Sequence, residues 1–196
     1  MSRILSRLLI AAMAAGFATT ATAVEFTIQP GGASQIEFVS KAPMETFGGK
    51  TKKVSGEVSL DPAQVADSIA VSVHVDMASL DTGVEMRNKH MRENHLHTAQ
   101  YPDAVFTGGK LENLSARQLE EGKPVTATIS GTMNLHGVEK PLQAPITMTY
   151  RGGTLHVSTQ FKIKLADYSI PRPQFLVMKL DEVQAVSVEL DARPKP

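Results

Sequence analysis

Polar side chains crowd together between positions 87 and 97 of the chain: Arg87, Lys89, His90, Arg92, Glu93, Asn94, His95 and His97. If His95 and His97 stood on a strand, the i, i+2 spacing would put both rings on one face, with His90 as a third nitrogen for a zinc-like set. No carboxylate or histidine at motif spacing fixes such a set, no H-E-x-x-H occurs, and the chain has no cysteine. Solvated or capping histidines account for the same residues, so neither a metal nor any other cofactor is expected. Covalent catalysis finds no support either, because there is no thiol and no G-x-S-x-G elbow. Gly48-Gly49-Lys50-Thr51 contains a G-K-T string, but it lacks the first glycine of a phosphate loop and opens a strand instead of a helix. The expectation is a protein that is not an enzyme.

The elements that must position these side chains are mostly strands. Period-two alternation sets Ile69, Val71, Val73, Val75 and Met77 against Ala70, Ser72, His74 and Asp76. It recurs with Val125, Ala127, Ile129, Gly131, Met133 and Leu135 on one face, with Phe161, Ile163 and Leu165, and with Val186, Val188 and Leu190. Weaker runs at 24–29, 34–41, 53–60, 104–111 and 145–150 follow the same template. Gly31-Gly32, Asp61-Pro62, Gly108-Gly109 and Gly152-Gly153 separate them as turns or bulges. Eight or so short strands with short connections form an antiparallel sheet; closing it into a barrel removes its edges, and a two-sheet sandwich is the competing arrangement. One stretch lacks alternation and is rich in Glu, Met, Arg and Lys, which predicts a short helix over 82–93 capped by Asp81 or Thr82, with Glu85 in its first turn.

The N-terminus carries Arg3 and Arg7, an apolar run over 8–17 and Ala21-Thr22-Ala23, the three parts of a cleaved signal peptide. The expected organisation is a leader at 1–23 and one domain at 24–196, exported and not membrane-spanning once mature. The leader holds two of the 20 Lys and Arg and none of the 20 Asp and Glu, leaving a remainder acidic by two. No nucleic-acid partner follows from that balance. With no disulfide available, stability must come from packing and a hydrogen-bonded sheet. An eight-stranded barrel either fills itself with side chains or keeps one small-ligand cavity, and periodicity alone leaves both open.

The chain also resembles the YceI family. The likeness runs through Ser79-Leu80-Asp81-Thr82-Gly83, Met86-Arg87-Asn88-Lys89-His90-Met91-Arg92, and Tyr101-Pro102-Asp103-Ala104-Val105-Phe106. It continues through Ile129-Ser130-Gly131-Thr132-Met133-Asn134-Leu135-His136-Gly137-Val138-Glu139-Lys140-Pro141 and Phe161-Lys162-Ile163-Lys164-Leu165-Ala166-Asp167-Tyr168-Ser169-Ile170. Asn88 stands where the family often has Asp, and the 171–175 segment replaces a more hydrophilic loop. The resemblance implies an all-β fold, an extended eight-stranded antiparallel β-barrel of lipocalin-like form with a short helix between strands. It implies periplasmic carriage or storage of an amphipathic lipid: a polyisoprenoid, a quinone or a fatty amide. A homodimer and an envelope protein partner belong to the same expectation. The tail would then run along Phe38, Met86, Met91, Phe106, Ile129, Met133, Phe161, Phe175 and Met178, with Arg87, Arg92 or His95 hydrogen-bonding the head.

Overall fold

The structure, a computed structural model, describes residues 23–41, 46–175 and 178–195, with side chains at all of these except 174, 175, 178 and 179. The leader at 1–22 and the side chains of Phe175 and Met178 lie outside the described residues. The chain forms β1 (Val24–Ile28), β2 (Gln35–Lys41), β3 (Thr46–Thr51), β4 (Val54–Leu60), β5 (Ser68–Asp76), helix α1 (Glu85–His90), β6 (Asp103–Glu112), β7 (Pro124–Leu135), β8 (Val138–Arg151), β9 (Thr154–Lys164), the short pair β10 (Gln174–Phe175) and β11 (Met178–Lys179), and β12 (Val183–Pro194).

These strands close into an eight-stranded antiparallel barrel. The order β1-β4-β5-β6-β7-β8-β9-β12 returns to β1 through the pairs Phe26 with Pro194 and Ile28 with Ala192. β2 and β3 prolong the first two staves toward one end: β2 pairs with β12 over Ala185 to Glu189, while β3 pairs with β2. Closure rather than a sandwich gives each of the eight staves a neighbour on both sides and leaves only β3 as an outer strand, bridged at Lys50 to Asp81; it is the cheaper way to satisfy backbone groups without disulfides. The inward rows are those that the alternation names. β3 and the first half of β8 carry no such alternation and go beyond the predicted strands, and the Gly108-Gly109 pair forms the bulge in β6.

One seam in the wall is incomplete. β8 pairs with β7 along its whole length, but with β9 only from Ile146 onward. Val138–Pro145 therefore parts from β9, and the 3-10 turn Leu165–Tyr168 packs against both strands near the gap. Where the pairing resumes, Thr159 Oγ1 donates to Pro145 O at 2.7 Å.

The helical segment departs from its predicted bounds. α1 begins at Glu85 after an N-cap, Val84, that offers no side-chain bond. Asp81 and Thr82 do not cap it, because Asn88 has already engaged them. Asn88 Oδ1 accepts from Thr82 N at 2.8 Å and Thr82 Oγ1 at 2.7 Å, and its Nδ2 donates to Asp81 Oδ1 at 2.7 Å. The same Asp81 accepts from Gly83 N, and these bonds hold its carboxyl below the usual carboxylate range. Past His90 the helix widens into a π turn, Met91–His95, closed by Leu96 N donating to Met91 O at 2.8 Å. Lys50 and Asp81 exchange backbone hydrogen bonds of 2.9 and 3.0 Å, which fasten the start of this segment to β3.

Candidate functional site

The inward rows do not fill the barrel evenly. At one end Phe26, Val65, Leu155 and Ala192 reach zero exposure, Met148 and Val125 are nearly as deep, and Phe26 meets Tyr150 edge-on at 6.3 Å between ring centroids. Val65 and Leu119 come from the loops that close this end, held by Val65 N to Arg117 O and Leu119 N to Pro62 O. Toward the helical end the same aliphatic types stand around a cavity of about 860 Å³. Its wall is Ile36, Phe38, Ile69, Val71, Phe106, Ile129, Met133, Leu142, Phe161 and Ile163, with Met86, Met91 and Leu96 from the helical segment. Glycine makes room for two of the rings: a Cβ on Gly49 would lie 2.4 Å from the Phe38 ring, and one on Gly131 would lie 2.5 Å from the Phe106 ring.

Polar groups reach the cavity at few places. Arg87, His90 and His95 stand at the mouth, and Thr159 and Gln184 line the wall. Arg87 places its guanidinium carbon 4.2 Å from the centre of the Phe47 ring, a cation–π contact across the mouth. His95 Nδ1–H donates to Pro171 O at 3.0 Å, tying the π turn to the loop between β9 and β10. Burial pushes the His95 imidazole below its ordinary value; the bond to Pro171 O opposes this, and His97 and His90 add to it. Gln184 is buried and donates to Asp181 O at 2.6 Å. Thr159 gives its hydroxyl proton to Pro145 O. Among the described residues, the polar side chains bordering the cavity are Arg87, His90, His95, Thr159 and Gln184, and the rest of its wall is apolar, an arrangement suited to holding an apolar guest.

The side chains expected to line a tail converge: Phe38, Met86, Met91, Phe106, Ile129, Met133 and Phe161 all border the cavity, as do Arg87 and His95 of the expected head contacts. Arg92 turns away to pair with Glu85 at 2.9 Å. His95 and His97 do not stand on a strand. His97 adopts φ 45°, and its Nδ1–H donates to His136 Nε2 at 2.8 Å while His136 Nδ1–H donates to Tyr168 O at 3.1 Å. Tyr101 packs against the His136 ring at 4.5 Å. Among the described residues, no three His, Cys, Asp or Glu side chains gather as a metal would need. Gln184 was missed, although extending the row Val188, Val186 inward by two residues reaches it; His136 gave no signal, because its role depends on the turn between β7 and β8.

A model of the YceI-like domain family matches residues 26–192. A UPF0312 protein of Vibrio cholerae serotype O1 is 34% identical over 137 residues, covering 68% of this chain and 67% of that protein. A UPF0312 protein of Vibrio campbellii is 29% identical over 160 residues, covering 77% and 80%. Among solved structures, Burkholderia cenocepacia BcnA superposes with a TM-score of 0.68 at 20% identity, covering 81% of this chain and 95% of that one. A polyisoprenoid binding domain from Saccharophagus degradans, implicated in plant cell wall breakdown, gives 0.67 at 19% identity, covering 89% and 100%. At such identities these two likenesses speak for the fold alone.

Proposed function

The chain belongs to the YceI-like family, and from that premise we propose that it is a non-enzymatic periplasmic carrier or store of an amphipathic isoprenoid lipid, a polyisoprenoid or an isoprenoid quinone. The observation that carries this reading is the cavity of about 860 Å³, apolar along its length and polar only at a few points, most of them at one end. Water is a costly filler, because in so large a space the molecules bond one another but those against the apolar wall find few partners. A hydrocarbon guest gains about 0.8 kcal/mol per buried CH₂, so two or three isoprene units supply several kcal/mol before ordering costs.

In this reading the tail lies along Phe38, Phe106, Ile129, Met133 and Phe161, and the head group rests at the mouth beside Arg87, His90 and His95. Neutral His95 keeps its Nδ1–H on Pro171 O, so its other nitrogen is the one offered to a head group. The likeness to a polyisoprenoid binding domain favours this ligand class. The test is mass spectrometry of a solvent extract of the protein purified from its native periplasm without detergent. One isoprenoid lipid near one per chain is expected. A clean protein that also takes up no added quinone or polyprenol would end the reading.

A further inference from the structure

A bound lipid must enter and leave, and the helical segment is not free to swing aside. Its start is held by the Lys50–Asp81 backbone bonds and the three hydrogen bonds of Asn88. Its far end is held by His95 to Pro171 O and His97 to His136. Passage along the lip beside the helix leaves all of these bonds in place.

That lip is where the apolar surface lies. Among the described residues the exposed large hydrophobic side chains are Val84 at 45%, Met86 at 64% and Val183 at 45%. All three stand at the helical end. Val84 and Met86 precede and open α1, while Val183 begins β12, opposite Lys164 at the end of β9. Val84 and Met86 also line the cavity. Through Val84 and Met86 the apolar wall thus reaches the outer surface, while Val183 faces outward from the same end of the barrel. The charges nearby are of both signs, Arg87, Lys89, Arg92 and Lys164 with Glu85, Glu93 and Glu182; Arg92 pairs with Glu85 at 2.9 Å and Lys164 lies 3.9 Å from Glu182. Among the described residues these three side chains expose far less apolar surface than the ~800 Å² per partner that a stable dimer buries. They suffice to enter the boundary between head groups and acyl chains, where a few apolar residues give weak and reversible attachment.

We propose that this end of the barrel is a bilayer-docking surface: Val84, Met86 and Val183 enter the interfacial layer of a phospholipid membrane and join the cavity wall to the acyl region, so that an apolar tail transfers without crossing water. Because the flanking charges are of both signs, attachment depends on apolar insertion and not on anionic lipid. The proposal extends the lipid-carrier reading but is tested apart from it.

The chain has no cysteine, so one polarity-sensitive dye can be placed on Met86→Cys and, in a separate protein, on Lys123→Cys in the loop at the opposite end. Phosphatidylcholine vesicles should shift the emission at position 86 to the blue and leave position 123 unchanged, with little dependence on salt or on added phosphatidylglycerol. Val183→Asp, whose side chain is not part of the cavity wall, should lower vesicle co-flotation about threefold, and Met86→Asp about tenfold. No shift at position 86, or equal flotation of wild type and both variants, would overturn the proposal. A blue shift that grows with protein concentration without vesicles would also overturn it, since a second copy would then be the occupant. Uptake of polyprenol added from dilute ethanol is measured in parallel on the wild type. Docking without uptake refutes the carrier reading alone, and uptake without docking refutes this one alone.

Discussion

The two ends of the barrel are built from the same kinds of residue and behave differently. At the closed end, Phe26, Met148, Leu155 and Val125 are almost wholly buried in the core, with Met148 and Leu155 forming part of the cavity's floor, and loop residues Val65 and Leu119 seal it. Toward the helical end, Phe38, Met133, Phe161 and Ile163 are only partly covered, because they face a cavity. The difference lies less in hydrophobicity than in what stands opposite. The closed end brings Phe26 and Tyr150 together, whereas the open end is spread by β2 and β3 and roofed by a helix instead of being filled.

The strongest way to break that comparison is to remove one ring from each end. Phe26→Ala should cost ~3–5 kcal/mol, as a buried Phe leaving a cavity does, while Phe161→Ala should cost no more than about 1–2 kcal/mol and show itself in lipid retention. Urea denaturation of the lipid-free proteins decides it, and equal losses would mean the two ends are packed alike. Next in size is Asn88→Ala, which strips three hydrogen bonds from the entry to α1. It should cost about 2–3 kcal/mol, and amide exchange should rise over the helical segment before the closed end responds. Met133→Arg places a charge on the cavity wall. A folded variant should retain lipid at least tenfold less well, a change of about 1.4 kcal/mol, and unchanged retention would remove Met133 from the site.

The smallest effect belongs to His95. Burial disfavours its imidazolium, so below the ordinary value of 6.5 the unfolded chain binds more protons than the folded one. Stability from this group is complete above that value and declines as pH falls toward the depressed folded one. His95→Gln should flatten the urea midpoint between pH 7 and 5, by less than any substitution above shifts it; a profile identical to wild type would place the acid sensitivity elsewhere.

The wall of the barrel was legible because a strand with one wet face declares its inner row, and every strong run named from the sequence faces inward. β3 was silent, since Thr46–Thr51 contains two glycines and its place depends on β2 beside it. The helix was legible as composition but not in its start, because Asn88 reaches back to Asp81 and Thr82, a contact that no local spacing signals. The partners of the histidines were illegible for a related reason. His95 and His97 look paired in sequence, yet the π turn and a left-handed His97 send one ring to Pro171 and the other to His136. A hollow interior could not be read at all, since alternation records which way a side chain faces and not how far away its neighbour stands.

The parted seam beside β9 has a consequence for how copies of this chain meet one another. A strand edge left unpaired invites another strand, the usual first step toward edge-to-edge aggregation. Pro145 turns its carbonyl toward β9, as the bond from Thr159 shows, and Pro141, four residues earlier, turns the same way. Neither has an N–H, so two of the donors that an incoming strand would need along Val138–Pro145 do not exist. The prolines let the wall stay open at that seam without making it sticky.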